Sequence, residues 1–404
     1  MNAEAESPYA WLRLGVAVLL STIGGVGMWS VVVALPQVQQ EFGVARADAS
    51  LPFTLTMIGF GIGGIVIGRF ADRFGIVLPV IGAAISLGLG YVAVGSSGNL
   101  TEFALAQGVF IGAGSAATFG PLIADVSMWF TRRRGIAVAV CASGNYFAGA
   151  IWPPILDHFM RSAGWRATHI GVGVFVVAAM LPLTLVLRRR PQMVAADGST
   201  AGLRPASPAV LRLSPNALQV LLCLAGVGCC MAMAMPQVHI VAYCGDLGYG
   251  VARGAEMLSL MMACGIVSRI ASGFVADRIG GLATLLLGSA LQGLALLLYL
   301  GFNGLASLYV ISGLFGLFQG GIVPMYAIIV RDYFPPEEAG MRVGIVLMAT
   351  VVGMALGGWM SGAIFDATGS YRAAFANGLA WNLLNGGIML WLLLRRRALR
   401  PALA

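Results

Sequence analysis

Apolar runs of about 20 residues, separated by short polar breaks, occupy the chain from end to end, and each is long enough to cross roughly 30 Å of hydrocarbon as a helix. Twelve runs are counted, over roughly 11–35, 50–70, 76–95, 102–128, 135–157, 167–187, 215–243, 253–275, 281–300, 304–330, 342–364 and 372–394. Helices satisfy their own backbone hydrogen bonds, so a chain built of such runs is expected to be an all-α membrane protein. The longest break, Pro191 to Ser214, holds Pro191, Gly198, Gly202, Pro205 and Pro208 among Ser and Thr residues and reads as a flexible linker. The expected organisation is a six-helix bundle over 1–190, a linker over 191–214 and a second six-helix bundle over 215–404.

The two halves also repeat each other. Ala71-Asp72-Arg73-Phe74-Gly75 returns as Ala276-Asp277-Arg278-Ile279-Gly280, and Pro36-Gln37-Val38 as Pro236-Gln237-Val238. Trp129-Phe130 with Gly135 matches Tyr333-Phe334 with Gly340, Gly164-Trp165-Arg166-Ala167 resembles Ser370-Tyr371-Arg372-Ala373, and Asp157 stands in the place of Asp366. Matches kept in one order imply a duplicated unit and two pseudo-symmetric bundles.

Composition removes the soluble alternatives: 59% of residues are hydrophobic and 10% charged, with a mean hydropathy of +0.88. All 24 basic residues are arginine. Eighteen of them fall on the side of the bilayer that holds the N-terminus. Arg46, Arg161, Arg166, Arg253 and Arg372 fall on the other, and Arg269 remains in between. That asymmetry puts both termini in the cytoplasm. It also explains the net charge of +8 by a membrane, with no nucleic acid as partner. The first apolar run reads as a retained helix and not a cleaved signal. Five of the six cysteines sit in apolar runs, which suggests no disulfide framework. Without lysine the glycine clusters cannot form a P-loop, and close helix packing is expected of them. The three histidines, His158, His169 and His239, show no metal-ligand spacing, so neither a metal nor another cofactor is expected, and no nucleophile motif suggests an enzyme. An all-arginine basic complement with abundant Ala and Gly suits a GC-rich bacterium, hence a cell inner membrane.

Gly68-Arg69-Phe70-Ala71-Asp72-Arg73-Phe74-Gly75, with its echo after the eighth run, resembles the signature loop of the major facilitator superfamily. Asp72, Arg69 and Arg73, with Asp277 and Arg278, would then act in conformational gating, although the usual basic residue after Gly75 is replaced by Ile76-Val77. Within the superfamily, Glu41-Phe42-Gly43-Val44, Trp129-Phe130-Thr131-Arg132-Arg133-Arg134-Gly135, Ala142-Ser143-Gly144 and Arg269 resemble the monocarboxylate porter and oxalate:formate antiporter group. The resemblance implies that Arg269 pairs with a substrate carboxylate. It also implies that spans one, four, seven and ten line the cavity. The first-span lysine, the acidic residue one turn before the arginine (here Gly265) and a second cation in span eleven are all missing. One buried positive charge suits one carboxylate.

Arg269 lies near mid-depth, where an arginine costs about 2.5–3.5 kcal/mol on insertion scales and is a functional candidate by default. Its planar fork can hold a carboxylate by two parallel hydrogen bonds. The competing reading is a structural arginine bonded to backbone carbonyls. Candidate cavity partners are Trp29, Ser115, Thr118, Asn145, Tyr146, Gln319 and Tyr326, each of which could equally serve helix packing. Asp125 and Asp332 are expected in ion pairs with Arg69, Arg331 or Arg342, and His239 is either a surface residue or a proton relay. The expected function is alternating-access transport of small organic anions, lactate- or pyruvate-like, by proton symport in a monomer. Exchange of the oxalate:formate type and export of neutral or cationic compounds with Arg269 structural are the alternatives.

Overall fold

The computed structural model describes residues 6–130, 133–189 and 213–399, so the expected linker over 191–214 lies outside the described residues except for its last two. Among the described residues every regular element is helical. Among the described residues ten helices are long and apolar enough to cross a membrane. One of them, a 52-residue helical stretch, turns back at Gly164, and a last helix is diluted by Asn377, Asn382 and Asn385, so the described residues form twelve helical segments of spanning length.

Span one is α1 (Pro8–Gly24) and α2 (Val26–Phe42), joined at Gly25. Pro8 at the first turn and the Ser7 hydroxyl, which accepts from Ala10 N at 3.3 Å, start it. Spans two and three are α3 (Arg46–Phe74) and α4 (Val77–Gly95). Span four is broken into α5 (Leu100–Ala106), a π-helical turn over Gln107–Gly112, α6 (Ala113–Ala117) and α7 (Gly120–Trp129). Spans five and six are α8 (Arg134–Ala142) and α9 (Gly144–Val186), with the reversal inside α9 at Gly164. Then follow α10 (Pro215–Asp246), α11 (Val251–Ile279) and α12 (Gly281–Gly301). Span ten is α13 (Leu305–Gln319) and α14 (Ile322–Tyr333), and α15 (Pro336–Thr368) and α16 (Tyr371–Leu399) complete the chain.

The repeat read from the sequence is built into the backbone. Gly75 (φ 81°, ψ 171°) and Gly280 (φ 84°, ψ 159°) turn the chain the same way after α3 and α11, and each donates to a carbonyl four residues back, Ala71 O or Ala276 O, at 2.8 Å. A positive φ of this kind is open to glycine and strained for other residues. Ile62, Val66, Val174, Phe274 and Leu383 are 58–69% exposed, whereas Gln107, Gln292, Gln319 and Asn385 are fully buried. Apolar outside and amide inside is the distribution that a lipid solvent selects. The expected glycine packing is present: a Cβ at Gly112 would lie 2.5 Å from Thr56 O, and one at Gly63 would lie 2.7 Å from Ala113 Cα.

Two compact units are found. Unit 1 takes the described residues up to 189 together with 240–263, and unit 2 takes 213–239 and 264–399.

Candidate functional site

In unit 1, three helix interruptions meet: Gly24–Gly25 in span one, Thr118–Phe119 in span four and Ser143 in span five. Ser115 Oγ donates to Gly24 O at 3.0 Å and Thr118 Oγ1 to Ser115 O at 2.8 Å. Both side chains are buried, and Thr118 lies directly against Gly24. Asn145 is half-buried, with its Oδ1 3.4 Å from where a Gly25 Cβ would stand. Tyr146 is 7% exposed and Trp29 5%. The Trp29 ring fills the space a Gly149 side chain would need, and its buried Nε1 has no hydrogen-bond partner. Trp29, Ser115, Thr118 and Asn145 therefore share one region beside span one, and the buried Tyr146 follows Asn145 on α9. Gln107 belongs beside it, its Nε2 donating to Gly27 O at 2.9 Å across the π-helical turn. A lone glutamine inside an apolar run is the signal that could have singled it out.

Unit 2 has its own interruption, at Gly320–Gly321 in span ten, and α11 packs against it through small residues. A Cβ at Gly320 would lie 2.8 Å from Gly265 Cα, and Gly321 N donates to Ser268 Oγ at 3.2 Å. Arg269 projects at this break. It is half-buried, and its Nε reaches Gly320 O at 3.4 Å, a long bond for a guanidinium. Gln319, one residue before the break, is fully buried. Its Oε1 accepts from Gln237 Nε2 at 2.8 Å, while its own Nε2 has no partner. Arg269 and Gln319 are thus brought to one break. Tyr326 sits deeper, donating to Asn385 Oδ1 at 2.8 Å. The Asn385 amide continues to Ser289 Oγ at 3.2 Å, so Tyr326 ties α14 to α16 and α12.

His239 is neither on the surface nor exposed: it is fully buried, with Nε2 2.8 Å from Gly358 O and Nδ1 3.2 Å from Tyr371 OH. Of the loop residues expected to gate, Arg69, Arg73, Asp277 and Arg278 are exposed at the ends of α3 and α11, and the Asp72 side chain lies outside the described part of the chain.

Charges at the helix ends correct one expectation. Asp125 pairs with Arg13 and not with Arg69, Arg331 or Arg342: Arg13 Nε and Nη2 donate to its two oxygens at 2.7 and 2.8 Å. Arg13 Nη1 reaches Tyr9 OH, Leu187 O and Arg189 O at 3.0–3.2 Å, and the guanidinium lies 4.8 Å from the Trp129 ring centre. At the opposite end of unit 1, where loops 43–45, 96–99 and 247–250 gather, Arg46 holds both oxygens of Asp246 at 3.1 and 3.2 Å. Glu41 at that end lies beyond the apolar part of α2. Arg166 (2.7 and 3.1 Å) and Trp165 (2.5 Å) donate hydrogen bonds to its carboxylate.

Long apolar helices, interrupted spans and a duplicated loop mark a multi-pass membrane protein, and the comparisons give its family. The chain matches the Major Facilitator Superfamily over residues 17–302 and 257–404, so it belongs to that superfamily. It is 27% identical to monocarboxylate transporter 13 of Bos taurus over 350 residues, which is 85% of this chain and 79% of that one. It is 23% identical to an agnestins efflux protein of Paecilomyces divaricatus over 327 residues, covering 80% of this chain and 73% of that one. In fold it is similar to a bacterial homologue of the human lysosomal transporter Spinster, with a TM-score of 0.71 at 15% identity, covering 98% and 97% of the two chains. The protein is a multi-pass membrane transporter and not an enzyme.

Proposed function

We propose that the protein carries small monocarboxylates of lactate or pyruvate size across a bacterial inner membrane. It does so as a monomer, with both termini cytoplasmic, by alternating access between its two six-helix halves and with symport of a proton. The observation that carries the reading is Arg269, a half-buried guanidinium at mid-span whose Nε reaches a carbonyl of the broken tenth span at 3.4 Å. Broken helices place backbone dipoles at transporter substrate sites. A carboxylate arriving there can take two parallel charge-assisted bonds from the fork, stronger than the long contact to Gly320 O. The Gln319 amide nitrogen, buried and without a partner, is a donor for a second substrate oxygen. The bound carboxylate is itself the proton acceptor in this scheme. The likeness to monocarboxylate transporter 13 supports the substrate class.

The efflux relative favours a second reading, export of a neutral or cationic compound with Arg269 as a structural residue. Uptake of labelled lactate and pyruvate into proteoliposomes, with and without an inward proton gradient, separates the two. Saturable, gradient-dependent uptake that is lost in Arg269→Gln is the expected result. Equal transport by wild type and variant, or no acid carried, sinks the monocarboxylate reading.

A further inference from the structure

One buried carboxylate plays no part in that scheme. Asp157 on α9 is 2% exposed, its Oδ1 is buried with no hydrogen-bond partner, and its Oδ2 accepts from Arg161 Nη2 at 2.8 Å. The Arg161 side chain is 59% exposed, so its charge is shared with solvent and compensates one oxygen only. Asp157 faces neither lipid nor a loop. It lies on the buried stripe of α9 formed by Gly149, Pro153, Leu156 and Met160, while Ile151, Ile155 and Phe159 take the exposed side.

Trp29 of span one and Met262 of the first part of α11 both pack against this stripe. Gly149 has no side chain where Met262 packs: a Cβ there would lie 2.5 Å from Met262 Cγ. Two turns further along α9, Asp157 meets the electrostatic field of Glu256, which is six residues nearer the start of α11 than Met262. Ascending numbers on one helix face descending numbers on the other, as antiparallel neighbours require. The charged groups near Asp157 are Arg161 and His158 from its own helix and Glu256 from α11. Glu256 is itself bonded to Arg253 at 3.0 Å. Residues 251–263 thus pack beside a buried carboxylate that has one empty oxygen, and they carry a second carboxylate near it.

We infer that Asp157 is a proton-binding site, filled when the first turns of α11 close on α9 and emptied when they part. The inference goes beyond the monocarboxylate reading and does not depend on the substrate. Closure removes water from Asp157 and brings Glu256 towards it, and both effects favour the neutral carboxyl over the carboxylate. The proton bonds to a carboxylate oxygen, leaves a carboxylic acid and cancels the repulsion; parting returns it to water. Because the closed arrangement binds the proton more tightly, lowering the pH favours closure and raising it favours opening. With the orientation proposed above, the pH sensed is that outside the cell. The equivalent residue in the repeat, Asp366, is exposed and carries no such device.

Hydrogen–deuterium exchange of residues 251–263 in the full-length protein, reconstituted in nanodiscs at pH 5.5 and 8.0 and rescaled for the intrinsic exchange rate, tests this without any substrate. Wild type is expected to exchange at least about threefold more slowly at pH 5.5, the sign that one-proton linkage requires. Asp157→Asn should show the slow rate at both pH values, and Asp157→Glu should keep the dependence. Glu256→Gln, which leaves Asp157 in place, should shrink the ratio by slowing exchange at pH 8.0. A pH-independent wild type, or an unchanged ratio in Asp157→Asn or in Glu256→Gln, overturns the assignment.

Discussion

Two arginines inside membrane helices, Arg13 in unit 1 and Arg269 in unit 2, have opposite surroundings. Arg13 is 1% exposed. Its fork is filled by both oxygens of Asp125, its remaining donors reach a tyrosine and two carbonyls, and an indole lies against it. Arg269 is half-buried and meets a carbonyl of a broken helix at 3.4 Å. The first arrangement stabilises a fold, because a buried charge is tolerated only when paired and hydrogen-bonded. On the monocarboxylate reading the second, half-buried at a helix break, is the group that binds and releases an anion on each cycle. The role of a membrane arginine is thus read from how its hydrogen-bonding is closed, and only secondarily from its depth.

The largest effect should follow from emptying the filled site. Asp125→Asn keeps the shape but leaves the Arg13 guanidinium buried without its counter-charge, which costs about 3–5 kcal/mol. A strongly lowered thermal midpoint in detergent and poor recovery of folded protein are expected. An unaltered midpoint would mean that Arg13 is held by its carbonyls alone. Arg269→Gln should do the reverse, leaving the midpoint within a degree or two while uptake of a carried acid falls about 100-fold, the equivalent of roughly 2.7 kcal/mol of lost charge-assisted binding. If Arg269→Gln lowers the midpoint as Asp125→Asn does, the contrast between the two residues collapses.

Much of this was legible in the chain. The apolar runs gave the passes, and the duplicated Ala-Asp-Arg-x-Gly loop foretold two turns that share torsion angles to within about 12° at Gly75 and Gly280. Arg269 stood out because no surface was near it. Arg13 did not, because its position near the N-terminus suggested a surface charge and its partner is 112 residues away. Pairings between distant residues have no local signature in a single sequence, and for the same reason Asp125 was expected with the wrong arginines. The break at Gly320–Gly321 shows as a glycine pair, but the one at Thr118–Phe119 lies in an ordinary apolar run, and the π-helical turn at Gln107–Gly112 leaves no pattern at all. The Asp157 environment needs α11 to come over α9, which only the tertiary structure supplies.

A third arginine lies between these extremes. The Arg46 side chain keeps 9% of its surface exposed and that of Asp246 38%, so solvent discounts the pair and a value near 1 kcal/mol is appropriate. Arg46→Gln should speed hydrogen exchange in residues 240–250 by about fivefold, and the double exchange Arg46→Asp with Asp246→Arg should bring it back. Exchange that is indifferent to Arg46 would reduce the pair to a surface contact.

The smallest effect is expected from the uncharged break of unit 1, and it is the one that could invert the comparison. Ser115→Ala removes a neutral bond to Gly24 O worth about 0.5–1.5 kcal/mol, chiefly to the joint of α1 and α2. No charge is exposed there, and the freed carbonyl of span one keeps Ser115 Oγ only as a clasp between helices. Uptake should therefore change by less than about threefold, with any loss tracking the thermal midpoint. A fall of tenfold or more at unchanged midpoint would place the substrate against Ser115 and Thr118. In that case the neutral break would be the binding site, and Arg269 would join Arg13 among the arginines that hold helices together.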